Sequence, residues 1–147
     1  MNIYMANKDA VFLDSNFLIA VFNTSDSNHK KAQLLAVSMS ELDTKLYTSN
    51  YILLEVLTVL SQRVNREIAV EVRDRLLNSE NIELTHINEE LNNRSLEIFS
   101  EIQTKNMSVV DCSILAVLNY VGIKQLLTFD ITDFKPLRER FDFSIVS

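Results

Sequence analysis

The sequence predicts a single α/β domain, a parallel central sheet flanked by helices on both faces in three α/β/α layers. Three observations carry this reading. Short β-like apolar runs alternate with longer segments of helical periodicity from end to end, the pattern of a parallel sheet connected by helices. The 147 residues match the size of one ordinary domain, and a chain of this length buries roughly 70% of the surface its unfolded form exposes. The hydrophobic fraction of 47% is that of a chain with a packed core, and no repeat, low-complexity stretch or Pro/Gly/Ser-rich linker divides it. The domain is therefore read as 1–147, with residues 1–9 an N-terminal extension of unknown role.

Each element has its own justification. Ala10–Leu13 is a short apolar run ending at Asp14 and reads as a buried strand. Asn16–Phe22 reads as a short helix, followed by the polar loop Asn23–Asn28. His29–Leu42 carries Ala32, Leu35, Ala36 and Met39 at helical spacing. Leu46–Thr48 is a short strand, Asn50–Arg63 a helix, and Arg66–Asn78 another with Ile68, Val72 and Leu76 on one stripe. Ile82–Ile87 alternates apolar and polar residues and reads as a strand. Asn88–Lys105 is a long amphipathic helix built on Leu91, Leu96, Ile98, Phe99 and Ile102. Ser108–Val121 is the best-defined helix: Ser108 and Asp111 have the spacing of a capping box, and Gly122 suits the C-terminal cap. Gln125–Thr128 reads as a strand, Ile131–Arg140 as a short helix interrupted by Pro136, and Phe143–Val146 as the last strand. With one Gly and one Pro in the chain, the turns fall to Asn, Asp and Ser, which make their own local hydrogen bonds.

Composition excludes several classes of function. A single cysteine, Cys112, permits neither an internal disulfide framework nor a cysteine-rich zinc site, and it suits a reducing compartment. No run approaches 18 apolar residues, so no membrane span is expected. The segment MNIYMANKDA lacks the basic and apolar regions of a secretory signal, and the expected location is the cytoplasm. Twenty acids against 14 bases give a formal charge of −6. A protein that simply coats nucleic acid is usually basic, so the balance disfavours a passive nucleic-acid-binding module and leaves an enzyme open.

Four acids sit where solvated acids do not. Asp14 lies in AVFLDSNFLIAV, Glu55 in NYILLEVLTVL, Asp111 in MSVVDCSILAVL and Asp130 in QLLTFDITDF, each interrupting an apolar run. A carboxylate in such surroundings is unfavourable unless it is paired, hydrogen-bonded or bound to a metal. The predicted topology gathers them: Asp14 and Asp130 follow strands, Glu55 is in the first turns of a helix leaving the same edge, and Asp111 starts a helix that returns from it. Ligands of open α/β sheets bind at this edge, near a switch in strand order. Taken singly, each acid also has an ordinary reading: Asp14 as a helix N-cap, Asp111 as the partner of Ser108, Asp130 as a turn residue, and Glu55 as a surface acid. Together, like charges about 5 Å apart repel by roughly 3 kcal/mol per pair at an effective dielectric of 20. A hard divalent cation with oxygen ligands, Mg²⁺ or Mn²⁺, relieves that repulsion, and the chemistry suited to such a site is phosphodiester hydrolysis.

These segments resemble those of PIN-domain nucleases, and in particular the VapC-type toxins of bacterial toxin–antitoxin pairs. The resemblance rests on FLDSNFLIAVF, TSNYILLEVLTVL and MSVVDCSILAVL followed by LLTFDITDF, in order and with ordinary PIN spacing over nearly the whole chain. It implies that Asp14, Glu55 and Asp111 are three acidic metal ligands and that Asp130 is the fourth. Asp133 competes for that last place, because ITDF puts an extra residue before the Asp-Phe pair; Asp130 is favoured as nearer the strand end. Ser15 and Asn16 match a small polar pair that supports the site, and Ser49 a small hydroxyl ahead of the acidic helix. The implied activity is Mg²⁺- or Mn²⁺-dependent cleavage of RNA. The implied partners are an RNA substrate, a cognate antitoxin lying over the active site, and a second copy of the chain in a homodimer.

Other residues carry weaker signals. Cys112, where relatives often have alanine, reads as a small buried hydrophobe rather than a reactive thiol. His29 and His86 fall outside the acidic segments and read as structural or solvated. Arg63, Arg66, Arg73, Arg75, Lys135, Arg138 and Arg140 are candidates for RNA-backbone contacts, with solvated helix faces the ordinary alternative. The region Asn50–Leu77 is the expected partner surface. Two further readings stand beside the toxin: an RNA-processing PIN nuclease, and a catalytically silent PIN module that only binds. Retention of all four acids speaks against the second. A receiver domain or a HAD-type phosphatase would need another acid just after the first strand, and Asp14-Ser15-Asn16 does not supply it.

Overall fold

The computed structural model describes residues 10–146; the extension at residues 1–9 lies outside them. The short apolar runs form five strands, β1 (Val11–Leu13), β2 (Leu46–Ser49), β3 (Ile82–Thr85), β4 (Gln125–Leu127) and β5 (Ser144–Val146). They make one sheet in the order β3-β2-β1-β4-β5, every pair parallel. Strand β1 is central, and the chain winds outwards from it first through β2 and β3, then through β4 and β5. The order therefore reverses between β1 and β4. Their register aligns Leu13 with Leu127, and the Asp14 N–H continues the ladder by donating to the Leu127 carbonyl at 3.0 Å.

The helices are α1 (Ser15–Phe22), α2 (His29–Glu41), α3 (Asn50–Arg63), α4 (Arg66–Asn78), α5 (Glu89–Glu101), α6 (Val109–Val121), α7 (Ile131–Phe134) and α8 (Arg138–Phe141), with a 3₁₀ turn at Lys135–Leu137. Polar caps start five of them, since a helix leaves its first N–H groups without intrahelical partners. Asp14 caps α1, Ser49 caps α3, Asn65 caps α4, Asn88 caps α5 and Ser108 caps α6. Helix α1 packs on α2 and α3, α3 on α4, and α5 on α6. Cys112 to Leu118 are buried without a break, so α6 is a core helix rather than a surface one. Phe12, Leu13, Ile52, Leu60, Ile98, Ile114, Leu115, Leu126 and Phe134 fill the interior around the sheet.

Three elements depart from their predicted extents. The strand expected over Ile82–Ile87 stops at Thr85, because Thr85 pairs with Ser49 and β2 ends there to cap α3. Among the described residues edge strand β3 has no other neighbour to continue its ladder. The helix expected over Asn88–Lys105 ends at Glu101. Residues 103–106 are exposed, and the chain leaves the helix so that Met107 can reach the core. The segment Ile131–Arg140 is two short helices around a 3₁₀ turn holding Pro136 near its start. Proline lacks the N–H that a continuous helix would use there.

Candidate functional site at the β1–β4 switch point

The reversal between β1 and β4 leaves a crevice at the carboxyl ends of the strands, the usual ligand position in an open parallel sheet. Asp14 stands on its floor, one residue past β1 and 3% exposed. It accepts from the Ser15 N–H at 2.6 Å, and the Ser15 hydroxyl lies 3.4 Å from the same oxygen. Its other oxygen accepts from the Thr128 hydroxyl at 2.8 Å. Burial pushes the Asp14 carboxyl up to about 7, opposed by the Thr128 hydrogen bond, with the Asp111 charge adding, the Ser15 N–H opposing and the Glu55 charge adding again. A buried carboxylate that feels two others is the signature of an acid cluster.

Thr128 is the pivot, and sequence reasoning treats it only as the end of a strand. Its fully buried hydroxyl donates to Asp14 and accepts from Asn16 Nδ2 at 3.2 Å and from the Asp130 N–H at 3.0 Å. Asn16 Oδ1 accepts from the Phe129 N–H at 3.0 Å. Together the two residues tie the loop carrying Asp130 to the helix following Asp14. A second missed hydroxyl, Thr48, donates to the Leu13 carbonyl at 3.1 Å and joins β2 to the end of β1. The signal for both was a polar residue closing an apolar strand that is buried on both faces.

The remaining acids arrive from three elements. Glu55 lies in the second turn of α3, half-buried, on a helix that Ser49 caps by accepting from the Ile52 N–H at 3.2 Å. Ser49 thus sets the helix, while its own hydroxyl is engaged in the cap. Asp111 completes the capping box: its N–H donates to Ser108 Oγ at 3.0 Å and its Oδ2 accepts from the Ser108 N–H at 2.9 Å. Burial raises its carboxyl above the usual range, against the lowering by both Ser108 bonds, and the Asp133 charge raises it further. Asp130 sits in the loop three residues past β4. Its carboxyl is pushed up to about 6 by burial, then by a hydrogen bond with Asp133, then by the Asp133 and Asp111 charges. Asp130 and Asp133 are therefore hydrogen-bonded to each other, and each interacts with the Asp111 charge.

A chain of neighbouring charges links the five acids at this sheet edge: Glu55 and Asp111 act on Asp14, Asp133 acts on Asp111, and Asp133 and Asp111 act on Asp130. Among the described residues no three acidic, histidine or cysteine side chains converge on one point. The donor set is all carboxylate and suits a hard, oxygen-preferring divalent cation. Other candidates fall elsewhere. Cys112 is buried, and its thiol is pushed up to about 11 by burial and the Asp111 charge, so it is inert at neutral pH. His29 faces the Ala20 carbonyl at 2.7 Å through Nδ1, which must carry the proton, and so ties α2 to α1. His86 is exposed. Arg73, Arg75 and Arg140 pair with Asp74, Glu71 and Glu101 on exposed faces.

The PIN domain family model matches residues 11–138, which include every element from β1 into α8 and all five acids. This chain belongs to the PIN domain family. This PIN domain is also 28% identical over 120 residues, 82% of this chain and 88% of the other, to the 23S rRNA-specific endonuclease VapC20 of Mycobacterium tuberculosis. The crystal structure of VapC20, described as a Sarcin-Ricin loop cleaving toxin, superposes with a TM-score of 0.78 and 27% identity, covering 86% of this chain and 93% of that one. VapBC2 from Rickettsia felis, solved bound to a DNA fragment from its promoter, shares the PIN fold with a TM-score of 0.68 at 15% identity, over 93% and 97% of the two chains. Among the described residues no helix is long and apolar enough to cross a membrane.

Proposed function

We propose that this protein is an endoribonuclease that hydrolyses RNA phosphodiester bonds and is the toxin of a toxin–antitoxin pair. The observation that carries the reading is the likeness to an rRNA endonuclease across most of both chains, with the acid cluster at the switch point inside the matched region. Asp14, Glu55, Asp111 and Asp130 would hold a divalent cation, Mg²⁺ or Mn²⁺, with Asp133 in support of Asp130. When bound, the cation activates water and neutralises charge at the scissile phosphate and the leaving oxygen. The chain's own part is positional. Thr128, Ser15 and Asn16 fix Asp14 and the Asp130 loop, Ser49 orients the helix bearing Glu55, and Ser108 holds Asp111 by its backbone. Asp14, whose carboxyl is pushed up to about 7, would give up its remaining proton on holding a cation at neutral pH.

The partners follow the same reading: an RNA substrate, an antitoxin, a second copy in a homodimer, and a cytoplasmic setting. Exposed Leu54 (64%), Val70 (41%) and Leu77 (53%) on α3 and α4 support Asn50–Leu77 as the face that meets a protein partner.

The deciding experiment is cleavage of total RNA by the purified chain with Mg²⁺ or Mn²⁺, with EDTA, and with Asp111→Asn alongside. Discrete fragments that need the cation and vanish in the variant are the expected result. Wild-type protein that neither cuts RNA nor binds a divalent cation by calorimetry overturns the reading in favour of a silent binding module.

A further inference from the structure

A second concavity, of about 200 Å³, opens beside the acidic crevice and shares its wall. Ser15, Asn16 and Glu55 line it together with Asp26, Asn28 and Arg63. Two of these side chains carry polar groups that the fold does not use. Asn28 occupies the N-cap position of α2, yet its side chain makes no capping bond. Its neighbour Asp26 holds the turn instead, accepting from the Asn28 N–H at 2.9 Å. Arg63, the last residue of α3, lies beside Glu55 and Asp26 and pairs with neither. Among the described residues the Asn28 amide and the Arg63 guanidinium have no hydrogen-bond or ion-pair partner.

The chemistry of these two groups is specific. A guanidinium fork matches a phosphate in two parallel hydrogen bonds. A carboxamide presents a donor beside an acceptor, the pattern that reads a base edge such as that of adenine. The cavity is smaller than the ~300–1,000 Å³ that encloses a whole small-molecule ligand, so it takes part of a polymer rather than a free metabolite. Its place is equally telling. Arg63 follows Glu55 by eight residues on one helix, about 12 Å along the axis, and helical side chains lean back towards the N-terminus. A polyanion approaching a chain of charge −6 through a cluster of acids needs a cation close by.

We propose that this concavity seats one nucleotide of a single-stranded RNA segment adjoining the bond that is cut, with Arg63 clasping its phosphate and Asn28 reading its base. The inference rests on the ribonuclease reading above and adds to it a residue that sets sequence preference. Unpaired RNA is the fitting form, because its bases are free to be splayed into a pocket.

The test uses the full chain with Mn²⁺ and a pool of short RNAs randomised around the cleavage site, with kcat and KM then measured on the preferred sequence over a range of salt. Arg63→Ala is expected to raise KM about tenfold with kcat within about twofold, and to flatten the salt dependence by about one unit of slope. Arg63→Lys should recover part of the affinity, because the charge remains and the fork is lost. Asn28→Ala should erase a base preference of roughly five- to a hundredfold at one position beside the cut. Arg66→Ala, at an exposed arginine outside this cavity, should leave that preference intact. Neither Asn28 nor Arg63 has a side-chain partner to lose, so unchanged melting curves are expected. Wild-type KM, salt slope and base preference in both variants overturn the proposal and leave the nuclease standing, and so does a kcat loss that merely tracks lowered melting. A wild-type chain that neither cuts RNA nor binds a divalent cation removes the reading and the proposal together.

Discussion

The Thr128 hydroxyl exhausts its hydrogen-bonding capacity within the crevice, one bond given and two received. The carboxylate it serves is held at a distance from its ordinary behaviour. With Asp14 raised from 3.8 to about 7, the folded chain keeps a proton between those pH values that the unfolded chain has already released. Stability from this group is full below pH 4, falls as pH rises through the window, and is lost above pH 7, by on the order of 4 kcal/mol. Asp14→Asn removes the ionisation. In the absence of divalent cation the variant should melt well above wild type at pH 8, with the gap narrowing at pH 5; a gap independent of pH would contradict the assignment. The four acids were legible because each interrupts an apolar run in a chain that otherwise segregates charge cleanly. Thr128 was not, because a threonine at the end of a strand is ordinary and its role depends on a contact with a residue 114 positions away.

At the scale of elements, local chemistry was readable wherever a side chain acts on its own backbone. Helix α6 shows this at both ends: the Ser108–Asp111 box forms as its spacing predicts, and Gly122 takes φ 82°, which a Cβ would oppose. Ser108→Ala should cost about 1 kcal/mol, read as a lower urea midpoint with an unchanged slope. It should also weaken divalent-cation binding, since the backbone bond holding Asp111 loses its reciprocal partner. Ser108→Thr should do neither. What the periodicity misjudged were ends decided by neighbours. Thr85 is the last residue of β3 because its partner strand β2 ends at Ser49, where α3 begins, and Glu101 ends α5 because Met107 is drawn into the core. Neither cause is visible in the segment it terminates.

The whole molecule gathers its acids by topology. A strand order that reverses between β1 and β4 places the carboxyl ends of the central strands at a crevice, and that much followed from the alternation of runs and helices. The concavity holding Arg63 did not, since it depends on how the α1–α2 loop lies against α3. A ligand that binds only the folded state stabilises it by mass action, about 2.7 kcal/mol at a hundredfold excess over Kd. Manganese at neutral pH should therefore raise the melting temperature, where sodium at equal ionic strength does not, and the rise should disappear in Asp14→Asn. The same topology has a consequence for how the protein is born. The seam between β1 and β4 joins strands far apart in the order of synthesis, with Leu13 paired to Leu127. A nascent chain lacks the partner that seats Asp14 until the segment carrying Thr128 has emerged, so the acid made first waits for a hydroxyl made 114 positions later. A chain cut short before that segment carries Asp14, Glu55 and Asp111 without β4 or Thr128 to set beside them, and so the crevice comes into being only when both segments are present.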